Sequence, residues 1–507
     1  MKLTLKQTKA LDILEDATTT ELLYGGGAGG GKSALGTYWV LKNCFKYPGS
    51  RWLIGRAKLK NLKETTLLTL FEVMNRQGIT AGQYKYNEQA GTITFRNGSL
   101  IFLKDLFQYP SDRNFDSLGS MELTGAFVDE CNQIVSKAWG IVKSRVRYRL
   151  NYYCHQCGRP NAADPDPEKK QSGNEVLSYD DNGEPNKWHC RGCGCITKGL
   201  TPKILGSCNP AKNWVYATFY KPNKDGVLKP YRRFVQSLLS DNKYTPAVYR
   251  ESLLTLDSAS IQRLLHGNWD YDDDPATLIA FARIVDLFTN EFIPSGEPAI
   301  TADVARYGSD KAVIGLWLGF RLMQVVVMDK SKTTELAQAI RKLATDFKVP
   351  MSRIVVDEDG VGGGVVDQLP GCIGFLNGGR PMPSLEEIER AKREGREPKP
   401  ENFENLKAQC YYLLAGCINA AGMYIAEKAT TAEQRELIMQ ELGVIKRRDM
   451  DKDGPLRILS KDEVKEIIGR SPDYSDMMAQ RMRLELQPPP PTPIRHSQSF
   501  GAMSRRR

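Results

Sequence analysis

Short apolar runs alternate with helix-like patterns along the first 150 residues of the chain. The apolar runs predict strands at Glu21 to Tyr24, Arg51 to Gly55 and Thr124 to Val128, and the patterns between them predict helices at Ser33 to Lys46 and about Leu59 to Gln77. Two further apolar segments flank the turn sequence Arg96-Asn-Gly-Ser, which predicts a hairpin. Because strand and helix alternate, we expect an α/β domain built on a parallel sheet.

A polar segment, residues 151–196, interrupts this pattern, and we interpret it as an insertion. The α/β pattern resumes at Lys203, and a domain boundary is expected near Asp270. Beyond that boundary the predicted elements are strands at Ala299 to Asp303, Lys311 to Gly319, Arg321 to Asp329 and Arg353 to Val356, with a helix at Thr334 to Phe347 before the last strand. Residues 487–507 are proline-rich and then basic, which predicts a disordered tail.

The composition narrows the class of protein. With 507 residues the chain is long enough for several domains, each with its own core. Lys and Arg outnumber Asp and Glu by 70 to 60, and this net charge of +10 fits a nucleic-acid partner without requiring one. No stretch approaches about eighteen apolar residues, and the first residues lack the apolar region of a signal peptide. We therefore expect a cytoplasmic protein with no membrane partner.

A glycine-rich segment, Gly26 to Ser33, matches the phosphate-binding pattern G-x-x-x-x-G-K-[ST] between a predicted strand and a predicted helix. Glycines let backbone N–H groups close around phosphate oxygens, and the start of the helix adds a favourable partial charge. In this pattern the lysine contacts the β- and γ-phosphates, and the hydroxyl binds Mg²⁺. The predicted nucleotide-binding residues are Gly26, Gly29, Gly30, Gly31, Lys32 and Ser33.

A pair of acidic residues, Asp129 and Glu130, follows the apolar strand that ends at Val128. In a parallel sheet that strand delivers its carboxylates beside the phosphate loop. Asp129 is predicted to hold Mg²⁺ through water, and Glu130 to polarise the attacking water. The Asp-Glu pair favours a motor that hydrolyses ATP over a small-molecule kinase or a switch GTPase.

A second group of acidic residues lies in the later part of the chain. Asp303 ends one predicted strand, Asp357 ends another, and Asp473 and Asp476 share one face at the start of a late helix. Carboxylates brought together from separate elements repel each other unless a cation lies between them, so they predict a divalent-metal site. Two such ions can cleave a phosphodiester bond. Asp310 and Asp359 are auxiliary candidates that are more typical of loop residues.

The insertion contains two Cys-x-x-Cys-Gly sequences among the 11 cysteines of the chain. In a reducing compartment this spacing favours metal over disulfides, and four thiolates form a closed, structural zinc site. The predicted ligands are Cys154, Cys157, Cys190 and Cys193, with Cys195, His155 and His189 as possible substitutes. Because the segment has few apolar residues, we expect zinc to supply its folding energy in a ribbon-like module. The alternative is two unrelated pairs of reduced thiols.

The order of these motifs resembles the large-subunit terminases of tailed phages. After the phosphate loop and the Asp-Glu strand comes an Asn209-Pro210 pair like the family's coupling motif, and Arg263 to Asp270 resembles the segment that closes its ATPase domain. Gln7 resembles the family's adenine-contacting glutamine. The later strand order resembles the family's RNase H-like nuclease, which implies metal-ligand roles for Asp303, Asp357 and Asp476, with Asp473 as an extra ligand.

The resemblance implies a domain plan: a P-loop ATPase domain over residues 1–150 and 197–272, the zinc-binding insertion over 151–196, an RNase H-like nuclease over 273–486, and the tail. It also implies a function, in which ATP hydrolysis drives viral double-stranded DNA into a procapsid and a Mg²⁺- or Mn²⁺-dependent nuclease cuts concatemers. The implied partners are the portal protein, the small terminase subunit and further copies in a ring of five. The implied location is the host cytoplasm and not the mature virion.

Motors of this kind often need an arginine at the γ-phosphate. Arg56 and Arg113 are candidates, and the sequence does not choose between them. Many terminases place an arginine in the phosphate loop itself, where this chain has Ala28 and glycines.

Two other functions compete with this interpretation. One is a helicase-nuclease of DNA repair or recombination, although the chain contains the motifs of only one motor core. The other is a DNA-binding assembly scaffold whose nucleotide site only switches shape, although a switch needs no water-polarising residue such as Glu130.

Overall fold

The computed structural model describes residues 2–161, 174–183, 185–271, 274–304, 311–329, 331–449 and 454–486. These residues divide into two compact units: Met1–Pro275 with Thr431–Met439, and Ala276–Thr430 with the chain from Gln440 onward. Asp310 and the predicted disordered tail lie outside the described residues, as does part of the insertion. No helix among the described residues combines the length and apolar character needed to cross a membrane.

The first unit is built on an eight-stranded sheet with the order β11-β1-β10-β6-β2-β5-β4-β3. The strands of this unit and its insertion are β1 (Glu21–Gly26), β2 (Arg51–Arg56), β3 (Tyr84–Asn87), β4 (Thr92–Phe95), β5 (Leu100–Asp105), β6 (Gly125–Val128), β7 (Glu175–Tyr179), β8 (Pro185–His189), β9 (Ile196–Thr197), β10 (Lys203–Cys208) and β11 (Arg232–Ser237). Six neighbouring strands are parallel, as the alternating pattern predicts. The predicted hairpin forms too, and it extends the same sheet as an antiparallel edge.

The helices of the first unit connect the strands of this sheet, and some of them pack against it. They are α1 (Leu5–Glu15), α2 (Lys32–Lys46), α3 (Leu59–Asn61), α4 (Leu67–Arg76), α5 (Ser136–Arg145), α6 (Lys221–Lys224), α7 (Ala247–Leu254) and α8 (Ser258–Ser260). Where a single helix was predicted at about 59–77, a π-helical segment, Leu62–Thr66, joins α3 to α4. Two more π-helical segments are Tyr216–Tyr220, before α6, and Ile261–Leu265, after α8. Wider turns of this type recur at functional sites. Leu62–Thr66 contacts Asp129 through Thr66, and Ile261–Leu265 contacts the phosphate loop at Ala28.

The parallel arrangement brings distant motifs to one edge of the sheet. Strand β10 lies between β1 and β6, and all three run in the same direction. Their carboxyl ends therefore meet, so that the phosphate loop after β1, Asp129 after β6 and Asn209 after β10 become neighbours. Ligands of open α/β sheets bind at this edge.

The second unit contains a six-stranded mixed sheet with the order β16-β15-β12-β13-β14-β17. Strands β12 (Pro298–Asp303), β13 (Lys311–Leu318) and β14 (Arg321–Asp329) are successively antiparallel, whereas β15 (Ile354–Asp357) runs parallel to β12. The remaining strands are β16 (Ile373–Phe375), β17 (Tyr424–Ile425), and the small hairpin β18 (Arg447–Arg448) and β19 (Arg457–Ile458). The helices are α9 (Phe281–Asp286), α10 (Thr333–Asp346), α11 (Gly363–Val366), α12 (Leu385–Glu394), α13 (Leu406–Asn419), α15 (Lys461–Ile468) and α16 (Asp473–Arg481). Helix α14 (Ala432–Gly443) belongs to the first unit up to Met439 and to the second from Gln440.

Helix α16 packs directly on this sheet, against β12 and β13. Every residue of α16 is buried, and Met477 and Met478 are completely so. The sulfur of Met477 occupies the space that a side chain at Gly315 of β13 would need. A glycine in the strand thus makes room for a large residue on the helix, and the helix approaches closely enough to bring its acidic first turn to the ends of β12 and β15.

Candidate functional sites

The phosphate loop depends on glycines at positions where the backbone is left-handed or tightly packed. Gly26, Gly29 and Gly31 have φ angles of +149°, +74° and +73°. A side chain on Gly26 would also collide with the carbonyl of Ser237. Other side chains disfavour these φ angles, so glycine is the residue that allows this loop to close.

The Lys32 amine is buried inside the loop and fully engaged by the protein. It donates to the Gly27 carbonyl at 2.6 Å, the Gly26 carbonyl at 3.3 Å and Asn209 Oδ1 at 2.9 Å. Burial lowers the pKa of Lys32, and the charges of Glu130 and Asp129 oppose that effect. A phosphate would replace neutral carbonyls with an anionic acceptor, which a buried ammonium prefers.

Asp129 collects three hydroxyl groups. Its carboxylate accepts hydrogen bonds from Ser33 Oγ at 3.1 Å, Ser207 Oγ at 2.5 Å and Thr66 Oγ1 at 2.7 Å. Ser33 and Asp129, the two residues predicted to hold Mg²⁺, are therefore in direct contact. Their hard oxygen atoms fit the preference of that ion. Ser207 and Thr66 were not predicted, because they come from other elements and belong to no motif.

Glu130 has a backbone conformation that is unusual for its residue type. Its φ angle is +50°, in the left-handed region. Burial raises the pKa of the Glu130 carboxyl and Asp129 raises it further, while Lys32, Arg56 and Arg263 offset part of the shift. Strained backbone and a carboxyl of raised pKa are features that catalytic acids and bases share.

Gln7 lies against the phosphate loop. Its Nε2 donates to the Gly31 carbonyl at 2.9 Å, and its Oε1 accepts from the Thr4 backbone at 3.0 Å in the cap of α1. Asn242 also contacts the loop, and its Nδ2 donates to the Gly29 carbonyl at 2.6 Å. Asn242 was missed in the sequence because an isolated asparagine carries no spacing signal.

The arginines near this site differ in their surroundings. The Arg56 guanidinium bonds the Thr65 hydroxyl, and its charge acts on Glu130. Arg113 is exposed on the loop after β5. Arg263, which was not considered as a candidate, also acts on Glu130 and donates from Nε to the Pro210 carbonyl at 2.9 Å.

The four aspartates of the second unit that were predicted as metal ligands are all buried. Asp303 and Asp357 end β12 and β15, while Asp473 and Asp476 lie in the first turn of α16. Asp473 Oδ2 accepts from the Lys311 backbone at 3.2 Å. The auxiliary candidate Asp359 instead bonds the Asn377 side chain at 2.7 Å, which fits its expected loop role.

The charges on these carboxylates interact strongly. Burial raises the pKa of Asp303 well above its ordinary value, and the Asp476 charge raises it further. Burial likewise raises the pKa of Asp357, to about 6. Burial also acts to raise the pKa of Asp476, but two lysines outweigh it and the pKa is lowered.

Those lysines, Lys407 and Lys461, were not predicted. Their amines lie 2.6 Å and 3.4 Å from the two oxygens of Asp476. Burial acts to lower the pKa of Lys461, yet the four aspartates raise it above its ordinary value. Among the described residues, no three aspartates bring their oxygens all within 4.8 Å of one another. Carboxylate oxygens are the ligands that divalent ions prefer, and four carboxylates are enough to hold such ions. The Lys461 ammonium supplies a positive charge among them.

Helix α16 is held at its start by a residue that the sequence did not reveal. Glu441 is fully buried, accepts from the Ser475 backbone at 2.7 Å and pairs with Arg470. Burial raises its pKa to about 8. No motif marks this glutamate, because its partner lies 34 residues away.

The four cysteines of the insertion come together as a cluster. The sulfur atoms of Cys154 and Cys193 lie 3.7 Å apart, those of Cys157 and Cys190 lie 3.4 Å apart, and all four fall within 4.8 Å. A tetrahedral zinc–thiolate site requires about 3.8 Å between sulfur atoms, so the cluster fits zinc. The Cys195 sulfur lies 3.3 Å from those of Cys154 and Cys193, and with Cys154 and His155 it forms a second group whose ligand atoms fall within 4.8 Å.

The insertion also shows the turns that such a site needs. Gly158 and Gly194 follow the second cysteine of each pair and have φ angles of +80° and +73°. Strands β7, β8 and β9 form an antiparallel sheet, and β9 reaches one residue beyond the expected limit of 196.

No protein-family model and no curated protein sequence matches the chain. Among solved structures, the large terminase of a thermophilic bacteriophage is 12% identical, with 95% of this chain and 98% of that chain covered and a TM-score of 0.38. A crystal form of that protein in complex with ATP-gamma-S gives a TM-score of 0.35 at 12% identity, covering 94% of this chain and 98% of the other. The nuclease domain of the large terminase subunit gp2 of bacterial virus Sf6 is 19% identical, with 41% of this chain and 98% of that domain covered and a TM-score of 0.34. These three solved structures are of a large terminase or of a large-terminase domain.

Proposed function

We propose that this protein is a large terminase subunit, an ATP-driven DNA-packaging motor joined to a metal-dependent DNA nuclease. The observation that carries the proposal is that one chain holds two separate acidic sites. One consists of Asp129 and Glu130 beside a phosphate loop, and the other consists of buried aspartates around the ends of β12 and β15.

ATP hydrolysis would use the groups around the phosphate loop. Lys32 exchanges its carbonyl partners for phosphate oxygens, and Ser33 and Asp129 hold Mg²⁺. Glu130 orients the attacking water and accepts its proton, for which a raised pKa is suited. Asn209 senses the bound nucleotide. Its side chain accepts a hydrogen bond from the Lys32 amine, and this bond is kept or lost according to whether the γ-phosphate is present.

DNA cleavage would use the second unit. Asp303, Asp357 and Asp476 hold Mg²⁺ or Mn²⁺, and Asp473 supplies a further oxygen. Bound ions of this kind activate a water and stabilise the leaving oxygen of a phosphodiester. The tight packing of α16 on the sheet keeps the carboxylates in fixed positions before any ion arrives.

The insertion would hold a structural zinc ion through Cys154, Cys157, Cys190 and Cys193. All four positions of the metal are then filled by thiolates, so the zinc stabilises the module and does no catalysis. We assign the module to contacts with DNA or the small terminase subunit. The other partners of the proposal are double-stranded DNA, the portal protein, and four more copies of the chain in a ring on the portal, all in the host cytoplasm.

The proposal is tested by supplying purified protein with duplex DNA, ATP, small terminase subunit and empty proheads of the same phage. DNA should become resistant to an added nuclease only when ATP is present. ATP-dependent strand separation without protection would identify a helicase-nuclease instead, and nucleotide binding without hydrolysis would favour a scaffold.

A further inference from the structure

The π-helical segment Ile261–Leu265 is attached to the backbone of the phosphate loop. The Leu264 carbonyl accepts a hydrogen bond from the Ala28 N–H at 2.7 Å. The same carbonyl would lie 2.6 Å from a Cβ atom at Gly27, so only a glycine lets the two segments approach this closely. The segment therefore lies next to the position where an arginine is missing from the loop.

The side chain of Arg263 points from this segment towards the coupling motif. Its Nε donates to the Pro210 carbonyl at 2.9 Å. The preceding residue, Asn209, accepts from the Lys32 amine at 2.9 Å. The π-helical segment thus contacts two backbone segments near the phosphate-binding lysine, at Ala28 through the Leu264 carbonyl and at Pro210 through the Arg263 side chain.

The guanidinium of Arg263 remains able to receive an anion. Only Nε is used for Pro210, and NH1 and NH2 donate no hydrogen bond within the described part of the chain. The side chain is half-buried, and its charge reaches Glu130. Its bond to Pro210 places it next to Asn209, which shares the Lys32 amine that would contact the γ-phosphate.

Within the described part of the chain, neither of the other two arginines bonds the phosphate loop or the coupling motif. The Arg56 guanidinium, whose charge also acts on Glu130, is bonded to the Thr65 hydroxyl in the π-helical segment after α3. Arg113 is exposed on the loop after β5, and its carbonyl accepts from the Gln108 side chain.

We infer that Arg263 is the catalytic arginine that contacts the γ-phosphate of ATP bound to its own chain, taking the place of the arginine missing from the phosphate loop. The inference rests on the proposed ATPase function. Charge spreads over the γ-phosphate oxygens in the transition state, and a pre-positioned guanidinium stabilises it there more than in the ground state. Because Arg263 Nε is bonded to the Pro210 carbonyl, cleavage of the bond between the β- and γ-phosphates of ATP would also change the force on the coupling motif.

The test compares Arg263→Ala and Arg263→Lys with a control in the same turn, Gln262→Ala, whose side chain is exposed. Arg263→Ala should lower kcat for ATP about a thousandfold, the typical contribution of such an arginine. ADP affinity should stay at the wild-type level, and Mg²⁺-dependent DNA cutting should stay unchanged as evidence of an intact fold. Added guanidinium ion should restore part of the hydrolysis by Arg263→Ala, which a merely structural arginine would not allow.

A mixing experiment tests whether the arginine acts on its own chain. Arg263→Ala subunits are combined with Glu130→Gln subunits, which keep Arg263 and lack the water-orienting carboxylate. The inference requires that the mixture stays as inactive as either variant alone. Recovery of hydrolysis would mean that Arg263 acts on a neighbouring subunit and would overturn the assignment.

Two other outcomes also overturn the inference. Wild-type hydrolysis by Arg263→Ala would show that the guanidinium does not reach the γ-phosphate, and an equal loss of ADP and ATP binding would show a structural role. If the wild-type protein itself hydrolyses no ATP under the same conditions, then the proposed motor function fails, and the inference fails with it.

Discussion

Replacement of Lys461 by alanine should tighten Mg²⁺ binding by the second unit while destabilising the metal-free protein. The Lys461 ammonium is, with that of Lys407, one of two counter-charges at the four buried aspartates, and all four aspartates act on it. A divalent ion must compete with that ammonium for the same carboxylates. Removing it leaves the carboxylates repelling one another until an ion arrives.

The size of the effect follows from the geometry. The Lys461 amine lies 3.4 Å from an Asp476 oxygen, and at that separation two unit charges near a protein surface attract by about 5 kcal/mol. The lysine side chain is 40% exposed, so solvent screens much of this attraction and roughly 1–2 kcal/mol remains. That energy corresponds to roughly 5- to 30-fold tighter Mg²⁺ binding.

Calorimetric titration with Mg²⁺ measures the affinity, and thermal unfolding in EDTA and in saturating Mg²⁺ measures stability. Lys461→Ala should unfold at a lower temperature in EDTA and recover most of the difference in Mg²⁺. The control is Lys428→Ala, an exposed lysine of the same unit, which should change neither quantity. Equal or weaker Mg²⁺ binding by Lys461→Ala would refute the idea that this ammonium and the metal compete for one site.

Two further predictions concern the acidic site and the insertion. The pKa of Asp357 is about 6 in the folded protein against an ordinary value of 3.8, so between these pH values the metal-free folded state binds a proton that the unfolded state does not. This group should therefore lower the free energy of unfolding by about 3 kcal/mol as pH rises from about 4 to 6. Asp303 and Glu441 also have raised pKa values and add to the fall, so in denaturant unfolding in EDTA Asp357→Asn should make the fall smaller by about 3 kcal/mol; an unchanged fall in the variant would assign this part of it to another group. Elemental analysis should find about one zinc per chain, lost in Cys190→Ser and kept in Cys195→Ser, with ATP binding intact in both; zinc retained by Cys190→Ser would exclude the proposed ligand set.

Local patterns were enough to predict the elements that carry each site. The strands ending at Gly26, Val128 and Asp303 were identified because apolar runs and glycines mark their ends. The insertion was recognised because paired cysteines have a spacing that few other functions require. These features depend on neighbouring residues, which is why a single sequence reveals them.

The groups that surround the predicted residues could not be found in the same way. Thr66 and Ser207 bond Asp129 because a π-helical segment and β10 bring them there, and neither position has a distinctive neighbour. Lys461 of α15 meets Asp476 of α16 only in the folded chain. A partner supplied by tertiary structure leaves no periodic signal, so the charge balance of both sites had to come from the fold.

Part of the sheet also differed from the expected form. The alternation of strand and helix predicted a parallel sheet, but β4 and β3 add an antiparallel edge. The turn at Asn97-Gly98 was recognised as a hairpin signal, yet nothing in that signal indicates which sheet the hairpin joins. Its apolar residues Ile93 and Phe95 are buried in the core of the first unit, and this burial favours pairing of the hairpin with the sheet of that unit.

The central claim is that one chain carries two separable activities. The most direct measurement follows ATP hydrolysis and Mg²⁺-dependent plasmid cutting on the same preparations of wild type, Glu130→Gln and Asp303→Asn. Glu130→Gln should lose hydrolysis and still cut DNA, and Asp303→Asn should lose cutting and still hydrolyse ATP, because the two carboxylates belong to different units. Wild-type hydrolysis by Glu130→Gln, or wild-type cutting by Asp303→Asn, would contradict the account.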